Sequence, residues 1–174
     1  LDILKLKAQI RGLNPDAFQE GVAEALPYDD GYFDFVFCYT VLEHVKNVEM
    51  SLDEMIRVCK EPGTVFIEMP NYKFPYEGHY KMMLIPFGPK WIQSWYFKFR
   101  KRPTTFLKTI NFLSAPQLDR ILWKRDVVTM RIFEPNLLWW SHQRELRYRI
   151  MYWFTNIFAV NKDQFIFLRK GSRK

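Results

Sequence analysis

Three histidines are the side chains best suited to move a proton near neutral pH, and their settings differ. His44 ends the run CYTVLEH directly after an apolar stretch, and His79 lies in PYEGHYK between Tyr76, Glu77 and Tyr80. Either could act as the general base that takes a proton from an attacking hydroxyl. A structural role competes at both: His44 could simply orient its loop through a bond to backbone. His142 begins a late helical pattern and reads as a surface residue. Carboxylates crowd the stretch AEALPYDDGYFDF. Asp29, Asp30 and Asp34 precede an apolar run there and read as turn formers and a cap. The two cysteines, Cys38 and Cys59, have no metal-type spacing, so they read as reduced thiols in a cytoplasmic core, and no metal is expected.

The elements that must position these groups follow from periodicity. LKLKAQIRG, residues 4–12, reads as a short helix stopped by glycine. AFQEG is a brief strand candidate. FDFVFC is a stronger one, and its near-continuous apolar run predicts a strand covered on both faces. Residues 47–60 place Leu52, Met55, Ile56 and Cys59 on one helical face. EPG at 61–63 should break that helix, and TVFIEM should resume as a strand parallel to the first through a right-handed crossover. Ser114 and Gln117 form a capping-box pattern ahead of a helix, with Pro116 tolerated in its first turn. VVTMRIFE reads as a strand, SHQRELRYRIMYWFTNIF as a helix and DQFIFLRK as a closing strand. Alternating strands and helices give an α/β fold around a mostly parallel sheet. In such a sheet ligands bind beyond the carboxyl ends of the strands. Val22 to Glu24, after QEG, and Tyr39 to His44, after FVFC, should therefore face one crevice.

GVAEALPYDDGYFDFVFCYTVLEHV, followed by EMIRVCKEPGTVFIEMPN, resembles the central part of class I S-adenosylmethionine-dependent methyltransferases of the methyltransferase type 11 group. The resemblance runs through residues 1–71 and more loosely through 110–170. It implies a Rossmann-like sheet with an antiparallel closing strand, S-adenosyl-L-methionine as cofactor, and methyl transfer as the reaction. It also implies roles for residues. Asp2, at the end of a strand, would accept hydrogen bonds from the ribose hydroxyls. The loop GVAEALP would border the adenine. Val22 stands there where relatives often carry an acid, leaving the Ala23 N–H and Glu24 to read the base edge. Cys38, Tyr39 and Thr40 would lie beside the methionine part and the reacting methyl. The glycine-rich turn of the family is absent: there are seven glycines, and no two are two residues apart. The expectation is a partial methyltransferase domain over 1–174 that lacks the first strand and helix and binds the cofactor poorly on its own.

Charge is polarised along the chain. Leu1 to His79 holds 7 basic and 14 acidic residues, whereas Tyr80 to Lys174 holds 19 basic and 5 acidic residues and all six tryptophans. No apolar run approaches the roughly 18–20 residues of a membrane helix, and no secretory leader pattern opens the chain. Residues 72–111 read as an aromatic and basic insertion that forms a lid or substrate wall. Within it, KWIQSWYFKFRKRP interleaves Trp91, Trp95, Tyr96, Phe97 and Phe99 with Lys98, Arg100, Lys101 and Arg102. Three roles fit this pattern: stacking on sugar or base rings, contact with an anionic membrane, or a packed helix with a solvated basic rim. The favoured acceptor is a hydroxyl of a small molecule or of a lipid-linked or saccharide compound. The favoured location is the cytoplasm, with peripheral membrane contact, and nucleic acid is disfavoured because no recognition motif is present. A non-catalytic domain that binds a membrane or partner through its basic aromatic face is the alternative.

Overall fold

The computed structural model describes residues 1–74, 76–77, 80, 82–85, 88–133 and 163–170. The chain opens with helix α1 (Asp2–Ile10), which ends where Gly12 takes a left-handed φ of 69°. Such a backbone favours glycine. AFQEG is not a strand. Ala17 closes a short 3-10 turn (Pro15–Ala17) capped by Asn14, and the only pairing nearby is an isolated bridge between Val22 and Ala25. Five residues with a glycine at the end had too little apolar content to hold a ladder.

Strand β1 (Phe33–Tyr39) leads to helix α2 (Val48–Val58), whose N-cap Asn47 accepts from the Met50 N–H at 3.1 Å. Strand β2 (Cys59–Pro70) follows without a gap. EPG therefore does not form a break between helix and strand. It forms an irregularity inside β2: Phe33 pairs with Cys59 but Phe35 with Thr64, so the intervening residues bulge out. Gly63 makes this possible. A Cβ there would sit 2.6 Å from the Lys60 carbonyl oxygen and 2.7 Å from Cys59 Sγ.

The insertion contains a small hairpin, β3 (Tyr76–Glu77) with β4 (Met82–Met83), then helices α3 (Lys90–Phe99) and α4 (Thr105–Thr109). Helix α5 (Ala115–Leu122) starts at the expected capping box of Ser114 and Gln117. Strands β5 (Val127–Phe133) and β6 (Asp163–Lys170) complete a sheet of order β1-β2-β6-β5. It is mixed: β1 and β2 run parallel, and β6 is antiparallel to both β2 and β5. The helix expected over SHQRELRYRIMYWFTNIF lies outside the described residues.

One face of the sheet carries the main core. Val65, Ile67 and Met69 of β2, with Ile166 and Leu168 of β6, pack against Leu52 and Met55 of α2 and against Leu118 and Leu122 of α5. Each such side chain contributes about 1.5–3 kcal/mol when fully buried. The opposite face of β1 departs from the expected double coverage. Phe35, Phe37 and Tyr39 are exposed there, and Phe37 stacks on Phe66 with ring centroids 5.1 Å apart. The reason is positional: β1 is the edge strand of the described sheet, and α2 and α5 both pack on its other side.

Candidate functional site

Beyond the carboxyl end of β1 the chain makes a tight turn, with the His44 N–H donating to the Val41 carbonyl at 2.8 Å. Thr40 starts this turn with φ at 50°, and its N–H donates to the Glu68 carbonyl at 3.0 Å. A β-branched residue in that region costs on the order of 1–3 kcal/mol, so the surrounding packing holds it there. Asn111 clasps the same turn from the far side. Its N–H donates to the Glu43 carbonyl at 2.8 Å, and its side-chain amide donates to the Val45 carbonyl at 2.7 Å.

The second wall is the turn at 22–25. Glu24 Oε1 accepts from the backbone N–H groups of Lys46 at 2.6 Å and Asn47 at 3.0 Å. These donors, at the start of α2, hold the Glu24 carboxyl below its ordinary pKa, Asn47 foremost. Arg57 ties the following residues down. It donates to both oxygens of Glu54, to Asp30 Oδ1 at 2.7 Å and to the carbonyls of Tyr28 and Leu26, while Glu54 Oε2 accepts from the Leu26 N–H at 2.8 Å. Asp30 is thus an ion-pair partner rather than only a turn former. Asp34 likewise pairs with Lys60 at 2.9 Å, while Asp29 stays exposed.

These ties create an open groove of about 510 Å³. Val22, Ala23 and Glu24 form one side, and Val41, His44 and Met50 are among the residues of the other. Two segments singled out in the sequence therefore converge, about twenty residues apart along the chain. The groove also takes in Lys46 and Asn47, which sequence reasoning missed as lining residues. The N-cap pattern of an asparagine just before an amphipathic run was the signal that could have placed them there.

The other expected site residues are dispersed. Cys38 points into the core and is 6% exposed. Burial, with the Glu43 carboxyl nearby, pushes its thiol up to about 11, so it stays protonated at neutral pH. Tyr39 and Thr40 are exposed at the strand end. Asp2 is exposed in the first turn of α1, where a strand end was expected. His44 lies on the groove, exposed, with Nε2 3.8 Å from Oε1 of the fully buried Glu43. His79 and His142 lie outside the described residues. Among the described residues no cluster of His, Cys, Asp and Glu could hold a metal ion.

A second cavity of about 240 Å³ lies in the insertion, among Tyr72, Phe74, Leu84, Lys90, Gln93 and Phe112. Buried Gln93 fixes its rim by donating to the carbonyls of Ile85 and Gly88 and accepting from the Ile85 N–H. The Lys90 ammonium sits 5.4 Å from the Phe112 ring centroid and donates to the Ile110 carbonyl at 2.8 Å.

Residues 1–67 match the family described as "Methyltransferase domain". The methyltransferase YcgJ of Bacillus subtilis is 38% identical over 65 residues, which is 37% of this chain and 25% of that protein. An uncharacterized protein of Mycobacterium tuberculosis is 25% identical over 114 residues, covering 62% of this chain. The chain spans 38% of that relative's length. Among solved structures, a geranyl diphosphate C-methyltransferase from Streptomyces coelicolor, in complex with S-adenosyl-L-homocysteine, superposes with a TM-score of 0.59 at 12% identity. That match covers 96% of this chain and 56% of the other. At that identity the likeness establishes the class I Rossmann-like fold.

Proposed function

We propose that this chain, a member of the type 11 group of class I methyltransferases by its first 67 residues and its fold, belongs to an enzyme that moves a methyl group from S-adenosylmethionine to a hydroxyl. The observation that carries the reading is the groove where Val22–Glu24 meets the Val41–Met50 segment. Its walls suit an adenine ring. Val22, Val41 and Met50 offer apolar surface, and the Ala23 N–H would read the base edge. Glu24 is fixed through Oε1, and its carboxylate would accept from the exocyclic amine. Val22 and Ala23 would flank the ring, Tyr39 and Thr40 would border the methionine part, and Cys38 would support that strand end from beneath. Asp2 remains the candidate for the ribose.

The cofactor supplies a sulfonium-activated methyl group. The protein's part is alignment of the acceptor oxygen at about 3–3.5 Å for in-line displacement, helped by a base. His44, on the groove, and His79 are the candidates for that base. The insertion over 72–111 is the proposed acceptor wall, and its apolar cavity beside Lys90 suits a small or lipid-linked saccharide presented with an apolar group. This reading puts the protein in the cytoplasm, where its two buried thiols stay reduced.

The test uses the full-length protein and methyl-labelled S-adenosylmethionine with soluble and lipid-linked saccharide fractions as acceptors. Label should pass to an acceptor hydroxyl, and His44→Ala or His79→Ala should slow transfer by about a hundredfold or more. A protein that binds the donor but labels neither fraction would overturn the acceptor class. One that does not bind the donor would overturn the reading itself.

A further inference from the structure

Helix α3 buries one side and exposes an aromatic stripe on the other. Gln93 and Phe97 face inward, 4% and 0% exposed. Trp91, Trp95 and Phe99, four residues apart, are 71%, 65% and 73% exposed. At 100° per residue these three lie opposite the buried pair. Trp95 and Phe99 stack with ring centroids 6.0 Å apart, which leaves the stripe as a contiguous apolar surface. Contiguous exposed apolar patches of this kind mark interaction sites.

The helix end adds charge to the same surface. The Arg102 N–H reaches back to the Phe97 carbonyl at 2.8 Å and the Lys101 N–H to the Lys98 carbonyl at 2.9 Å. Lys101 occupies the left-handed position, φ 53°, where glycine is usual. The cap thereby gathers Arg100, Lys101 and Arg102, all exposed, around a groove that also includes Phe99 and Met82. Cations are favourable there because the helix C-terminus is negative. From Gly78 to Leu118 the sequence contains seven Lys and Arg and no Asp or Glu.

We propose that α3 and its C-terminal cap form a membrane-docking surface, with Trp91, Trp95 and Phe99 entering the headgroup region of an anionic bilayer and Arg100, Lys101 and Arg102 on its phosphates. Indole rings beside cations suit that interface, where apolar ring and polar edge are both satisfied. Charge selects the occupant: a second copy would set the same acid-free basic stretch against itself, whereas an anionic leaflet neutralises it. No helix among the described residues is long and apolar enough to cross a bilayer, so the contact is with the surface. Docking does not depend on methyl transfer. If the transferase reading holds, the cavity lined by Lys90 and by Gln93, on the buried side of α3, receives an acceptor drawn from the same membrane.

The experiment is partition of the full-length protein onto vesicles of phosphatidylcholine with one-third phosphatidylglycerol. Wild type should bind these and not pure phosphatidylcholine. The R100E/K101E/R102E variant should lose about a hundredfold in partition, from roughly fivefold per cation. The W91A/W95A/F99A variant should lose about tenfold or more, with circular dichroism unchanged because all six side chains are exposed. The proposal is overturned if wild type does not bind, if it binds both vesicles equally, or if the aromatic variant binds as well as wild type. It is also overturned if the aromatic stripe instead supports a dimer or RNA capture that the variant abolishes.

Discussion

Two parts of the molecule are held by different forces. The groove lip, residues 22–30 against α2, is lashed by charged and polar groups: Glu24 on the Lys46 and Asn47 amides, and Arg57 on Glu54, Asp30 and two carbonyls. The insertion is held by rings. Phe97, fully buried, packs with Leu84 and Leu107 and meets Tyr80 edge-on at 4.6 Å, and Tyr72 meets Phe112 edge-on at 4.9 Å. An exposed turn has little apolar surface to bury, so polar ties fix it. An inserted segment with few regular backbone partners gains its order from large apolar side chains. The lip should therefore respond to pH and charge, and the insertion to volume.

The largest separation between the two should come from Phe97→Ala. Removing that ring should destabilise the insertion by about 3–5 kcal/mol, read by denaturant unfolding, while donor binding at the groove is retained. Next is Asn111→Ala, at the junction. It leaves the Val45 carbonyl without the side-chain donor and should cost about 1–3 kcal/mol. Amide exchange should quicken at His44, while the Ile85 amide, held by Gln93, stays protected.

Acid should divide the regions in the same way. Glu24 and Glu54 have lowered pKa values, the first through the Asn47 and Lys46 amides, the second chiefly through Arg57. A carboxyl depressed on folding stabilises the fold fully above its unfolded value, and that contribution is lost as pH falls through the lowered one. The lip should thus be intact above pH about 4.5 and loosen below it. Exchange at the Leu26, Lys46 and Asn47 amides should report this, with no matching change at Ile85. The smallest effect is expected from Glu24→Gln, which keeps an acceptor oxygen but removes the charge. It should leave the melting temperature nearly unchanged and abolish the acid response at Lys46 and Asn47.

The groove lip was the more legible region. Apolar periodicity placed α2 within a residue at its start, Ser114 and Gln117 announced α5, and the FDFVFC and DQFIFLRK strands appeared as expected. Val22–Glu24 and His44 meet as expected, but not through the strand predicted at AFQEG: polar ties from the turn at 22–25 to the start of α2 bring them together instead. Three features were not legible. The bulge at Glu61–Gly63 looked like a helix break because Pro and Gly signal both, and only the register of Phe35 with Thr64 separates them. The one-sided burial of β1 was hidden because Phe35, Phe37 and Tyr39 are apolar whether covered or not. Glu24 as a clamp on α2 needed the fold, since its partners lie 22 and 23 residues away. In the insertion, composition announced aromatics and cations, but only α3 separated inward Phe97 from outward Trp91, Trp95 and Phe99.

The most direct test of the groove is a calorimetric titration of S-adenosylhomocysteine into the full-length protein and its Val22→Trp variant. Val22 is 61% exposed on the groove wall, so the substitution narrows the groove without disturbing the core. Saturable binding that weakens by at least about tenfold, roughly 1.4 kcal/mol, is the expected result. Undiminished affinity in the variant, or no binding by either protein, would contradict the account.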